Sequence, residues 1–147
     1  MVLLENKLVR LEYDDSNKVI IWTPLAFMKD AEWQNPFVQG VEFLKKKILT
    51  TPNISWLNDT RKLKTVGLED LNWLNKNVNE PCYKAGLKKV AFVLPTNVFG
   101  KIAVKFYVEY TNNRTDNQFQ IKAFNNYNDS VNWLTLASGV TVAEEKL

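Results

Sequence analysis

The residue types able to do chemistry gather in one short stretch, SWLNDTRKLKTVG, residues 55–67. Apolar Trp56 and Leu57 give way there to Asn58, Asp59, Thr60 and Arg61. A carboxylate, a hydroxyl and a guanidinium in succession can hold a small ligand or a partner's loop. They can equally satisfy one another and the backbone of a turn. Thr60 and Thr65 are the hydroxyls placed to carry a phosphate, since Arg61, Lys62 and Lys64 stand beside them where a helix is expected to start. Thr65 also fits the plain role of a helix cap. A second polar step follows a later apolar run, at Pro95, Thr96 and Asn97.

Other chemistries are excluded by what the chain lacks. With no histidine, neither a Ser-His nor a Cys-His catalytic pair can be built, nor a zinc site that uses histidine. Cys82 is the one cysteine, so no disulfide closes within the chain and no cysteine cluster holds metal. It reads as a structural, partly buried thiol. The five glycines are scattered and none makes GxGxxG. Asp14 and Asp15 fall in a turn and Asp59 has no evident carboxylate mate, so general acid–base catalysis finds little support. The expectation is a protein that is not an enzyme and uses neither cofactor nor metal. Lys45, Lys46 and Lys47 complement the negative end of a helix and, with Lys88 and Lys89, suggest a weak basic patch.

These residues need a scaffold, and 147 residues suffice for one domain that buries about 70% of its unfolded surface. An apolar fraction of 46% and a charged fraction of 24% are ordinary for a globular chain. A net charge of +3 is too mild to drive nucleic-acid binding. No apolar run approaches the roughly 18 residues that span a bilayer. The start, MVLLENKLVRLEY, is broken by Glu5 and Lys7, unlike a secretory signal, which points to the cytoplasm.

Along the chain, Leu4, Leu8 and Leu11 alternate loosely in one or two extended stretches, and KVIIWTP is a strand after the turn at residues 14–17. These predict an antiparallel hairpin. Trp33, Phe37, Val41, Leu44 and Ile48 mark a helix, either capped at Asp30 and kinked at Pro36 or beginning at Pro36 with Asn35 as its cap. NISWLND is a short strand, and Leu68, Leu71, Leu74 and Val78 mark a second helix that Pro81 interrupts or restarts and Gly86 ends. LKKVAFVLP is apolar on both faces, as in the middle of a parallel sheet. Asn97 caps a third helix with an inward stripe of Phe99, Ile102, Ala103, Phe106 and Tyr110. Phe119, Ile121 and Ala123 alternate as a last strand, followed by a short helix with Val131 and Leu134 inward. The order β-β-α-β-α-β-α-β-α calls for an α/β domain, a mixed sheet with helices packed against it. The domain is expected over residues 1–137, with 138–147 a frayed tail. Trp73 lies one step from the seam of the second helix and is the candidate exposed aromatic.

The segments VIIWTP, LNDTR, AGLKKVAFVLP and AFNNYNDSVNWL together resemble small bacterial SpoIIAA-like, or STAS-like, domains, which are structural relatives of lipid-carrying CRAL-TRIO domains. The likeness runs in order from about Leu4 to Leu136. It implies a regulatory module that binds a protein partner through the loop between the third strand and the second helix. In such antagonists that loop carries an Asp-Ser-Ser-Gly-like phosphorylation site. This chain has no Asp-Ser or Asp-Thr pair directly before Gly67, so contact is expected without the phosphoserine. The CRAL-TRIO kinship implies a second reading, carriage of a lipid-like or other apolar small molecule, and a homodimer is a further expectation. Asp59, Thr60, Arg61, Thr65, Thr96 and Asn97 form the candidate binding rim, because ligands of open α/β sheets sit at strand carboxyl ends.

Overall fold

The computed structural model describes residues 1–26, 28–29, 31–63, 72–114 and 120–136. Strands β1 (Val2–Glu5), β2 (Val9–Asp14) and β3 (Val19–Pro24) form two successive antiparallel pairs. Asn6 turns the chain between β1 and β2, its Oδ1 accepting from the amides of Leu8 and Val9 at 2.7 and 3.0 Å. Asp14 closes the next turn by accepting from the Asn17 amide and side chain. Lys18 leaves that turn at φ 58°, in the left-handed region. The loose leucine alternation therefore yields two strands, and the chain opens β-β-β, one strand more than the predicted order.

Strands β4 (Ser55–Asp59), β5 (Lys89–Val93) and β6 (Gln120–Phe124) join parallel to β3, giving a mixed six-stranded sheet in the sequential order β1 to β6. Helix α1 (Ala31–Lys47) connects β3 to β4, and a helical stretch ending in α2 (Glu80–Ala85) precedes β5. Helix α3 (Val98–Asn112) connects β5 to β6, and α4 (Tyr127–Leu134) follows β6. Each parallel crossover advances one strand in the same direction, so crossovers of one hand place their helices on one face. The larger core cluster shows this, joining β2, β4 and β5 side chains with Phe37, Val41, Leu44, Val78, Cys82, Val104 and Tyr107. Helix α4 packs on β4, β5 and β6 from the opposite face, where Val19, Ile21, Leu57, Ala91, Val93, Phe124 and Leu134 form a second cluster. Among the described residues no helix is long and apolar enough to cross a membrane.

Pro36 does not start α1. The helix begins at Ala31 and carries Pro36 in its interior, buried. The proposed cap Asp30 lies outside the described residues, as do Leu68 and Leu71 of the second helix and Phe119 of the last strand. Pro81 is accommodated by a π-helical turn at Asn75–Asn79, with the Glu80 amide bonded to the Asn75 carbonyl. Widening the helix there lets the chain restart with Pro81 in the first turn of α2, where a missing N–H costs little. Gly86 ends α2 at φ 112°, as a left-handed cap requires.

Helix α3 departs most from its reading. Its buried residues are Gly100, Val104, Tyr107 and Thr111, so the row of Phe99, Ile102 and Phe106 faces solvent instead of the sheet. Both rows are apolar, and periodicity alone could not choose between them.

Burial pushes the Cys82 thiol from 9.0 up to about 12 and the Tyr107 phenol from 10.0 up to about 12. Both acids hold their protons more tightly in the folded chain, so the unfolded chain loses them first as pH rises. The protonated groups support the fold fully below pH 9.0, and that support drains away towards about 12. Urea midpoints should fall over this window, and less so in a Cys82→Ala, Tyr107→Phe double variant. A thiol reagent at neutral pH should label Cys82 only when the chain is unfolded.

Candidate functional site at the carboxyl rim of the sheet

All five residues of β4 are buried, although Ser55, Asn58 and Asp59 are polar. Each polar group has a defined partner. Ser55 Oγ donates to the Leu134 carbonyl at 3.3 Å, and Asn58 Oδ1 accepts from the Trp56 indole at 2.8 Å. The Asp59 carboxylate accepts a two-pronged bond from Arg61, with Nε at 2.8 Å and Nη2 at 2.6 Å. The Asp59 side chain is 7% exposed and that of Arg61 52%, so the pair runs from the interior to the surface. This bond to Asp59 raises the Arg61 pKa above its ordinary value, against the opposing effect of partial burial.

Thr60 is buried, and its amide and hydroxyl both donate to the Val93 carbonyl, at 3.1 and 2.6 Å. The Leu63 amide then donates to the Thr60 carbonyl at 2.9 Å, folding residues 60–63 into a turn. From the neighbouring strand end, Thr96 donates to the Arg61 carbonyl through its amide at 3.3 Å and its hydroxyl at 3.4 Å. Asn97 caps α3, accepting from the Gly100 amide at 3.1 Å. Asp59, Thr60, Arg61, Thr96 and Asn97 therefore meet at one rim, the carboxyl ends of β4 and β5. Thr65 lies outside the described residues.

Tyr127, at the start of α4, is a member of this corner that sequence reasoning missed. The Arg61 guanidinium lies 5.7 Å from its ring centroid. Burial raises its phenol pKa, helped by the negative field of Glu12, Asp14 and Asp59 and opposed by Arg61. The contact joins residues far apart in sequence, and no local spacing announces it. Gly100 was missed too. A Cβ there would collide with the Leu63 carbonyl, so glycine is what lets the turn after Thr60 lie against α3.

Trp73 is half-buried, its ring edge-on to Trp33 at 5.1 Å and packed against the main core. It is not the exposed aromatic that its position suggested. Lys89 does not join the lysines of α1 in a basic patch either. Lys89 sits with α4 on the face opposite α1, donating to the carbonyls of Trp133 and Leu136 at 3.1 and 3.4 Å. Its burial there lowers the ammonium pKa. Between α1 and α2 an open groove of about 680 Å³ is lined by Ile48, Leu49, Pro81 and Ala85, with Lys45, Lys76 and Lys84 at its edges. Among the described residues no cluster of carboxylates and cysteine has a metal-binding arrangement.

Two substitutions probe this construction. Gly100→Ala should destabilise the fold by about 1–3 kcal/mol, since a backbone carbonyl must shift to admit the methyl group. Arg61→Ala should cost about 1–2 kcal/mol, between the values for exposed and buried pairs, because half of the guanidinium is already in water. Urea unfolding of both variants measures these losses.

No protein-family model, curated protein or solved structure matches the chain at a significant level.

Proposed function

We propose that the chain is a STAS-like binding domain that works without catalysis, by contact between the segment Asp59–Gly67 and a protein partner. The described part of that segment is Asp59–Leu63. The observation that carries the reading is how the corner divides its groups. Asp59 and Thr60 are used internally, while Arg61, Lys62, Thr96, Asn97, Val98 and Phe99 are exposed around them. An internally hydrogen-bonded turn that presents cations, the Thr96 hydroxyl and apolar side chains is suited to recognition, because bonds already made hold its backbone before binding. Thr60 adds to this view. Its hydroxyl is buried and bonded to Val93, so it supports the loop and is closed to a kinase. Partner contact without the familiar phosphoserine is consistent with that.

Affinity capture from the native cells tests the proposal. The folded wild-type chain should retain a specific partner, and Lys62→Glu should lose it while keeping its circular dichroism spectrum. A folded chain that retains no specific partner overturns the reading.

A second reading, carriage of an apolar small molecule, draws on the groove between α1 and α2. Its lining mixes apolar Ile48, Leu49, Pro81 and Ala85 with three lysines and Glu80, it is open to solvent, and its volume of about 680 Å³ falls in the range of small-molecule sites. On this reading, native mass spectrometry of the purified chain should show a bound apolar adduct that Leu49→Asp removes. A chain that carries no adduct discards it.

A further inference from the structure

We propose that the solvent face of α3 seats an acidic amphipathic helix of the protein partner, an inference that rests on reading the chain as a binding domain. A surface helix with one buried row normally turns polar residues outward. Helix α3 does not. Val98 is 67% exposed, Phe99 76%, Ile102 60% and Phe106 49%, while Val104 and Tyr107 fill the core behind them. The exposed row covers a little over two turns, about 12 Å along the axis. That length matches the i, i+4, i+7 anchors by which a helix engages an apolar surface.

The place of the row is tied to the rim. Asn97 caps α3, and Thr96 bonds to the Arg61 carbonyl, so the row begins where the Asp59–Leu63 turn ends. At the far end Tyr110 meets Asn72 through its hydroxyl at 3.4 Å, and Tyr107 bonds to Asn79. A partner lying along the row would run from the corner towards these contacts.

Charge selects the occupant. Lys101 and Lys105 lie one turn apart beside the apolar row, and among the described residues no carboxylate pairs with either. Acidic side chains one turn apart on a partner helix would meet them. A second copy of the chain fits poorly, since a two-fold antiparallel pairing centred on the apolar row of Val98–Phe106 sets Lys101 beside Lys105 of the other copy. An anionic bilayer fits poorly as well. Glu109 continues the same row at i+4, and bilayer recognition draws on clusters of about four or more cations.

The probe is a labelled synthetic helix about four turns long, with Leu at heptad positions a and d and Glu at e and g. Its counterpart carries Lys in place of Glu. Fluorescence anisotropy should show the wild-type chain binding the Glu helix in preference, more weakly as salt rises. Ile102→Asp with Phe106→Asp should weaken binding about tenfold or more. Lys101→Glu with Lys105→Glu should reverse the preference to the Lys helix. Ile102, Lys105 and Phe106 are exposed and Lys101 is half-buried, and circular dichroism confirms that the variants fold. Equal binding of the two helices, or binding indifferent to either double variant, overturns the proposal. So does adsorption to phosphatidylserine vesicles, or dimer formation on sedimentation, that Ile102→Asp with Phe106→Asp abolishes. A native partner lost with Lys62→Glu but kept by both α3 variants would sink this inference and leave the rim reading intact. Loss with the α3 variants alone would do the reverse.

Discussion

Strand β4 is buried from end to end although polar residues make up more than half of it, and much of the structure answers that requirement. A polar group taken out of water needs a partner, or it costs about 1–3 kcal/mol. Ser55 finds its partner in the α4 terminus, Asn58 in the indole of Trp56, Asp59 in Arg61, and neighbouring Thr60 in the Val93 carbonyl. These bonds hold α4 over the second face and fix the end of β4 to β5. They also set the direction in which the chain leaves the sheet. The polar corner at residues 58–61 is first a solution to burial, and the surface it presents follows from that solution.

Close aromatic packing backs the other face of the strand. Trp22 stacks on Phe37 at 4.2 Å between ring centroids, and Phe37 lies nearly parallel to Trp56 at 6.2 Å. Trp56 reaches this position because residue 40 is glycine, where a Cβ would stand 2.5 Å from the indole. Gly100 plays the same part for the turn after Thr60. Two glycines thus set how closely the helices approach the strand and loop that carry the rim. Helix α3, held by Gly100 and by Val104 and Tyr107 beneath it, is left with a second apolar row in solvent. That outward row of Phe and Ile is the feature on which the contact-surface proposal rests.

Much of the scaffold was legible beforehand for identifiable reasons. The run KVAFV is apolar on both faces because a central parallel strand is covered twice, and it is found there, as β5. Asn97 caps a helix in the way its side chain favours, and Gly86 stops one at positive φ. Where two local rules compete, the sequence left alternatives open or pointed the wrong way. Pro36 is carried inside α1 and does not begin it, while Pro81 restarts its helix after a π turn, one of the two readings its position offered. The α3 stripe was misassigned because its residues 99 and 106 keep helical spacing as faithfully as 100, 104 and 107.

By itself the sequence determined the α/β class, the parallel character of the later strands, the absence of histidine chemistry and the polar corner at Asp59–Arg61. Those properties are local: they depend on residue type, on spacing along the chain and on what a missing side chain cannot do. Tertiary structure decided which apolar row of α3 met the sheet, that Tyr127 would lie beside Arg61, and that Thr60 would be spent on Val93. It also separated Lys89 from the lysines of α1 by placing them on opposite faces. Such outcomes depend on which surfaces are opposed after the strands align, and on the space that Gly40 and Gly100 leave between them. Distances of that kind are set by the packed whole, and neighbours in the sequence carry no record of them.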